Sequence, residues 1–219
     1  MIDREEHINI YETDVHNVNS LPIKFEKTSF RLTSAELDII VREYEYKRIN
    51  LNSVSKTCFL LNDKRLDRIK QFIDNRMKNY IKYTTGIDNE FQMVQSWSAI
   101  SKKNEEHHAH AHPSAIFSIV LYVKSCDSKL IFMSESRVRE KFFFPYSISN
   151  QNAFNSNSWS YEMNTGDIIM FPGWLQHRTE KNKNDDDKIV IGANYFINGI
   201  VGSVASIDQI NIQLGDCES

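Results

Sequence analysis

Apolar and polar positions repeat with two different periods along the chain, and the change falls near residue 90. Before it the spacing is helical. Thr33-Ser-Ala-Glu36 has the form of a capping box, in which the threonine hydroxyl and the glutamate carboxylate each take a backbone N–H that a first helical turn leaves open. Leu37, Ile40, Val41 and Tyr44 follow at i, i+3, i+4 and i+7 and make one apolar face. A second helix starts near Asn62 or Asp63 and presents Leu66, Ile69, Ile73, Met77, Tyr80 and Ile81 on one side. It stops at Gly86, which can take the left-handed conformation that helix ends often need. Both helices have charged outer faces, as supports packed on another layer do.

After residue 90 the period is two. Strands are predicted at Phe91–Ile100, Ile116–Lys124, Lys129–Met133, Lys141–Phe144, Asp167–Phe171 and Lys188–Ile197, all rich in β-branched and aromatic residues. Polar stretches separate them, notably Ser147–Ser160 and the charge run Glu180–Asp187, which reads as a solvated turn. There is no internal repeat and no linker rich in Pro, Gly or Ser. Helices followed by many short strands, without βαβ alternation, predict a mainly β (α+β) sandwich or jelly roll buttressed by N-terminal helices. A chain of 219 residues holds one sizeable core and is short for two. The expected organisation is a single domain over 1–219, with 1–90 as helical support and 91–205 as the β core.

Composition removes several classes of function. Lys and Arg number 26 against 29 Asp and Glu, for a net charge of -3, so no nucleic-acid partner is expected. No run of apolar residues is long enough to span a membrane, and the N-terminus has no apolar leader, so a cytoplasmic protein is expected. The 3 cysteines lie far apart and include no C-x-x-C, which argues against a disulfide framework. Neither a P-loop nor a G-x-G-x-x-G occurs, and no nucleophile stands beside a base.

The histidines change the picture. Of 7, four stand in Glu106-His-His-Ala-His-Ala-His-Pro113. If that segment is extended, His108, His110 and His112 point to one face and His107 to the other. Imidazoles at i and i+2 on a strand can converge on one metal ion, each giving a nitrogen lone pair. A further histidine ends Gly166-Asp-Ile-Ile-Met-Phe-Pro-Gly-Trp-Leu-Gln-His177, where a strand rises from a Gly-Asp turn and stops at a Pro-Gly bend. Lys188 opens the next strand.

These segments resemble, in order, the motifs of the 2OG-Fe(II) oxygenase family of marine bacterial and phage type, within the 2-oxoglutarate/Fe(II)-dependent dioxygenases. The matching residues are Ser96-Trp97, His107-x-x-His110-x-His112-Pro113, Ser118-x-Val-x-Tyr122, Gly166-Asp-x-x-x-Phe-Pro-x-Trp-Leu-x-His177 and Lys188-x-x-x-x-x-Asn194. They cover roughly residues 90–205. The chain departs from the family at Ala99 (asparagine), Asn104 and Glu105 (glycines), Lys188 (arginine), and Val190 and Gly192 (serines). These changes leave the strand pattern intact and bear on cosubstrate affinity.

The resemblance implies a double-stranded β-helix (jelly roll, cupin-like), Fe(II) as metal, 2-oxoglutarate as cosubstrate and O2 as oxidant. It implies His110, His112 and His177 as iron ligands, where most of the superfamily has a carboxylate in place of His112. His108 and Glu106 are rival ligands, and His107 is read as lining the pocket or bonding a group behind a ligand. Lys188 is the cation for the far carboxylate of the keto-acid, although an ammonium cannot make the planar bidentate pair of arginine. Tyr122 matches a tyrosine that contacts the cosubstrate in related hydroxylases. Trp97 and Trp174 are candidate walls, and Asn194 reads as structural, its amide satisfied by nearby backbone.

The expected activity is hydroxylation, or another oxidation, of a C–H bond in a small molecule or a peptide, with an amino-acid or peptide substrate favoured by analogy with prolyl hydroxylases. Two other readings stay open here: a cupin-type three-histidine dioxygenase without a keto-acid, and a metal-containing binding module that has lost catalysis. Lys188 separates them, since a lysine turned inward beside the metal suits keto-acid binding. A homodimer is compatible with the sequence, which does not set the oligomeric state.

Overall fold

In the computed structural model, which describes residues 10–18, 21–125, 127–133, 149–150, 156 and 158–215, Thr33 and Glu36 form the reciprocal cap. Thr33 Oγ1 accepts from the Glu36 N–H and the Glu36 carboxylate from the Thr33 N–H, at 3.2 and 2.7 Å. The helix that starts there, α1 (Ser34–Asp38), passes at once into a wider π-type turn over Ile39–Glu43. The wider turn carries side chains out of the 3.6-residue spacing. Ile40 is therefore buried while Val41 is exposed, and the apolar face predicted for this helix is broken.

The second helix forms where its spacing predicts but starts later, at Asp67, after two tighter turns over Leu60–Asn62 and Lys64–Leu66. α2 (Asp67–Asn79) runs into another π-type turn, Tyr80–Thr85, and ends on Gly86 at φ 73°. Ile69, Phe72, Ile73, Met77, Tyr80 and Ile81 are buried. At about 1.5–3 kcal/mol for each large apolar side chain taken out of water, this face holds the helix to the sheet.

The described residues form twelve strands. The first six are β1 (Ile10–Val18), β2 (Leu21–Thr28), β3 (Tyr46–Ile49), β4 (Asn52–Ser55), β5 (Glu90–Ser101) and β6 (Phe117–Lys124). The others are β7 (Lys129–Met133), β8 (Ser158–Glu162), β9 (Ile168–Pro172), β10 (His177–Thr179), β11 (Lys188–Val201) and β12 (Ile210–Ile212). The strands pair antiparallel throughout, and one isolated parallel bridge joins Phe59 to Ser96 of β5. The larger sheet runs β1-β2-β9-β6-β11-β5-β4-β3 with β12 on β11, and the smaller runs β10-β7-β8. Between them lies an inner core that includes Phe25, Tyr122, Leu130, Phe132 and Phe171. The outer face of the larger sheet packs Ile119, Leu121, Met170 and Ile191 under α2. This is the mainly β double-stranded β-helix, or jelly roll, with supporting helices on one face.

Five predicted strands correspond to β5, β6, β7, β9 and β11, and the one at Lys141–Phe144 lies outside the described residues. The reading of 1–90 as a helical support needs correction, because the segment also contributes β1–β4, with β2 paired to β9 inside the larger sheet. In β2 the alternation is disguised. Ile23 and Phe25 face the inner core, but the opposite position is Glu26, a charge only 1% exposed. Arg76 of α2 donates to its two oxygens from Nε and Nη2 at 2.7 and 2.8 Å, so a buried carboxylate stands where an apolar residue would signal a strand. The stretch 147–160, read as a separator, contains the start of β8. The 180–187 loop exposes Asp185 and Asp186 as a solvated turn does, yet Asn182 is fully buried and donates to the Ser101 and Asp186 carbonyls. At the entry to β9, Gly166 takes φ 90° and the Asp167 carboxylate accepts from the Asn164 N–H at 2.6 Å.

Candidate metal centre

The histidine segment is not a strand of its own. It is fastened residue by residue to β10 and to the turn before it. Thr179 N–H donates to the His107 carbonyl at 3.1 Å, and His112 N–H to the Gly173 carbonyl at 2.7 Å. Between these, His110 and His177 exchange both backbone hydrogen bonds, at 3.0 and 2.9 Å, as an isolated antiparallel pair. Residues placed directly opposite in this way have neighbouring side chains. Gly173 allows the close approach, since a Cβ there would stand 2.5 Å from the Ala115 carbonyl oxygen.

The result is a cluster of three imidazoles. One ring nitrogen from each of His110, His112 and His177 lies within 4.8 Å of the other two. His110 Nδ1 is 2.8 Å from the His108 carbonyl oxygen, and His177 Nδ1 is 2.9 Å from that of Leu175. A carbonyl only accepts, so in both rings Nδ1 carries the hydrogen and Nε2 is left as a lone pair. Desolvation is the main cause that lowers the pKa of all three, His112 to about 3, and neighbouring imidazoles add to it. The rings are therefore neutral at pH 7, the form that binds a metal. His112 Nε2 and His177 Nε2 stand 3.3 Å apart, close to the about 3 Å between adjacent ligands each about 2.1 Å from one ion. The donor set fits a divalent metal of the iron–zinc group, with the second nitrogen of two rings tied to the backbone behind it.

The rival ligands are not in this group. Because the segment departs from an ideal strand, His108 does not share the convergence of His110 and His112. Its ring lies 5.2 Å from that of His107 and 5.3 Å from that of His110, and its Nδ1 is buried without a hydrogen-bond partner among the described residues. Glu106, half-buried, is also outside the convergent set. His107 lies beside it, 4.3 Å ring to ring from His110, and accepts at Nδ1 from Asn52 Nδ2 at 2.7 Å. Asn52 is a site neighbour that the sequence concealed, because its short polar strand β4 carries no apolar alternation.

The cosubstrate candidates sit on the inner side of the larger sheet. Lys188, at the start of β11, is 2% exposed and donates to Ser128 Oγ at 2.9 Å. It is an inward lysine, near enough for its charge to be one of the lesser causes that lower the His107 pKa. Tyr122 pairs with Val190 across the strands and is buried in the inner core, where desolvation raises its hydroxyl pKa and the Asp167 charge adds to the rise. Trp97 stacks on His112, with centroids 5.2 Å apart and planes 28° apart. Its indole also covers Gly192, where a Cβ would meet Trp97 at 2.4 Å, which explains a glycine at a position of the motif that holds serine. Trp174 is 43% exposed on the turn that leads to His177. The expectation that Asn194 is satisfied by backbone is corrected: its side chain joins Ser118, Gln95 and His112.

Residues 95–194 match the model of a protein family described as "Putative 2OG-Fe(II) oxygenase". Among solved structures, an oxidoreductase of the 2OG-Fe(II) oxygenase family from Burkholderia pseudomallei is 12% identical and has a TM-score of 0.53, over 74% of this chain and 76% of its own. HygX from Streptomyces hygroscopicus, solved with nickel, 2-oxoglutarate and hygromycin B, is 10% identical with a TM-score of 0.54, over 79% and 82% of the two chains. The α-ketoglutarate-dependent epimerase SnoN of nogalamycin biosynthesis is 10% identical with a TM-score of 0.55, over 74% and 71%. At these identities the likeness is one of fold. No curated protein sequence matches the chain. No described helix is long and apolar enough to cross a membrane.

Proposed function

We propose that the chain is a 2OG-Fe(II) oxygenase, of the kind whose family model residues 95–194 match and which uses Fe(II), 2-oxoglutarate and O2, and that it hydroxylates a C–H bond of a peptide or amino-acid substrate, with His110, His112 and His177 as the iron ligands. The observation that carries this reading is the convergence of three neutral imidazoles, two of them with the distal nitrogen held by a backbone carbonyl. Three neutral ligands leave the charge of a divalent ion unbalanced by protein, and a dianionic keto-acid complements it. When bound, Fe(II) would let O2 serve as the oxidant, one of its oxygen atoms entering the C–H bond and the other the succinate that forms, with CO2, from 2-oxoglutarate.

The chain's own residues bind and orient. His110 and His177 are locked as Nε2 donors by the carbonyls behind them. Lys188 takes the far carboxylate of the keto-acid from the pocket floor, with Ser128 fixing its ammonium. Its buried position favours a keto-acid site over a cupin-type centre that uses none. Tyr122 and Val190 form an apolar wall that excludes water from that end. The preference for a peptide or amino-acid substrate rests on analogy with prolyl hydroxylases and on nothing in these side chains.

Anaerobic titration of the Fe(II) protein with 2-oxoglutarate tests the reading. A metal-to-ligand charge-transfer band that grows to saturation is expected, and its absence at saturating keto-acid overturns the proposal. Aerobic incubation with peptide and amino-acid pools then checks the substrate class. Gain of one oxygen atom by a peptide or amino acid, coupled to succinate release, is the expected result.

A further inference from the structure

Three adjacent strands of the larger sheet place Ser118, Asn194 and Gln95 in one cross-strand row, since Asn194 of β11 pairs with Ser118 of β6 on one side and with Gln95 of β5 on the other. The side chains are joined along the row. Ser118 Oγ and Asn194 Oδ1 are 2.7 Å apart, and Asn194 Nδ2 and Gln95 Oε1 are 2.8 Å apart. Asn194 is 3% exposed and Ser118 1%, so the row is an internal polar feature. From its middle, the terminal amide of Asn194 reaches Nδ1 of His112 at 3.4 Å.

This contact completes a pattern. In His110 and His177 the nitrogen turned away from the cluster meets a backbone carbonyl. In His112 the same nitrogen meets a side-chain amide, which has an acceptor end and a donor end exchanged by a half-turn. With the NH2 end toward His112, Nδ1 accepts and the hydrogen sits on Nε2, which removes the lone pair a metal needs. With the oxygen end toward His112, Nδ1–H donates and Nε2 is the lone pair. The half-turn keeps the hydrogen bonds of the row, because the Asn194 NH2 then donates to the Ser118 hydroxyl and the Gln95 amide, turned likewise, donates to the Asn194 oxygen. It gives up only the contact of His112 Nε2 with His177 Nε2 at 3.3 Å, which leaves both lone pairs for an ion.

We propose that Asn194 is a positioning residue for the metal centre: its carbonyl oxygen accepts Nδ1–H of His112 and so fixes the tautomer and ring plane that aim Nε2 at the ion, with Ser118 and Gln95 holding the amide in that orientation. The inference rests on His112 being a ligand. It gives a purpose to the one ring of the three that no backbone carbonyl supports.

Two measurements test it. In the protein loaded with diamagnetic Zn(II), long-range 15N–1H NMR correlations of the His112 ring should show hydrogen on Nδ1. Hydrogen on Nε2 overturns the proposal without any variant. Equilibrium binding of Co(II), in place of oxygen-sensitive Fe(II), should weaken about 10–100-fold in Asn194→Ala, the usual effect of removing a group that orients a ligand, and should recover in Asn194→Asp, whose carboxylate also accepts Nδ1–H. Co(II) affinity in Asn194→Ala within a factor of two of wild type, with unchanged His112 signals, overturns the role of Asn194 and leaves the ligand set standing. No Co(II) uptake by the wild-type protein overturns the ligand set and the role of Asn194 with it. Thermal unfolding of both variants beside wild type separates loss of affinity from loss of fold.

Discussion

The two faces of β11 set the architecture against the chemistry. Ile189, Ile191, Ala193 and Tyr195 are all buried, and the last three pack in the helix-covered core. Lys188, Val190, Gly192 and Asn194 alternate with them and turn toward the inner side, next to Ser128, Tyr122, Trp97 and His112 respectively. One strand therefore serves both layers, and the period of two that builds the sheet also delivers a lysine, a gap for an indole and an amide to the site at fixed intervals. The outer face is held by apolar burial and, around the buried Glu26 carboxylate, by Arg76 and Lys24. The inner face is held by specific partners, so it tolerates less.

The largest difference between the faces should appear on loss of a ligand. His177→Ala is expected to abolish stoichiometric iron binding, measured as metal content after reconstitution, while the fold survives. Retained stoichiometric iron would remove the inner face's claim to a metal. On the outer side, Arg76→Ala takes the bidentate partner from the buried Glu26 carboxylate and leaves Lys24 at 2.8 Å, so chemical denaturation should show a loss of about 2–3 kcal/mol, below the about 3–5 kcal/mol of a fully unpaired buried charge. If the loss is under about 1 kcal/mol, the pair contributes no more than a surface salt bridge does.

Lys188→Met should separate binding of cosubstrate from binding of metal. Removing a charged hydrogen-bond donor is worth about 1.5–3 kcal/mol, so affinity for 2-oxoglutarate should fall about 10–100-fold with iron stoichiometry unchanged. Equal keto-acid affinity in the variant would place the cosubstrate elsewhere. Gly192→Ala presses a Cβ onto the Trp97 indole and should cost about 1–3 kcal/mol of stability, visible in thermal unfolding, together with weaker metal binding as Trp97 shifts against His112. An unchanged melting temperature would mean that the indole has room to move.

The same contrast explains what could be read from the chain. The strands that became β5, β6, β7, β9 and β11, and the helix α2, were legible because burial there is apolar and periodic. β2 was not, because a buried glutamate interrupts its pattern, and β3, β4, β10 and β12 are too short to show a period. In the site, the histidine cluster and His177 stood out by residue type and spacing, but the choice of His110, His112 and His177 over His108 came from the family resemblance; the structure brings those three rings together. The relation of Asn194 to His112 depends on which residues of three strands fall side by side, and the cover of Trp97 over Gly192 on the same register. Such pairings leave no trace in local sequence. The π-type turn at Ile39–Glu43 likewise had no local signal, and it alone moved Val41 from the predicted face to solvent.

The smallest effect belongs to the polar exception on the outer face. Tyr195, in line with the apolar residues of β11, donates its hydroxyl to Asp74 of α2 at 2.5 Å. Desolvation raises the Asp74 pKa above the ordinary 3.8, and it outweighs the lowering by the Tyr195 hydrogen bond and the nearby Lys70 charge. A carboxyl whose pKa is raised by folding favours the folded state when protonated. That contribution is fully present below pH 3.8 and is lost as the pH rises through the higher folded value. Asp74→Asn keeps an acceptor for Tyr195 and has no charge to desolvate. The variant should therefore be more stable than wild type at pH 7 in urea unfolding, and the advantage should shrink as the pH is lowered toward 3.8. A pH-independent difference would show that the hydrogen bond, and not the buried charge, governs this contact.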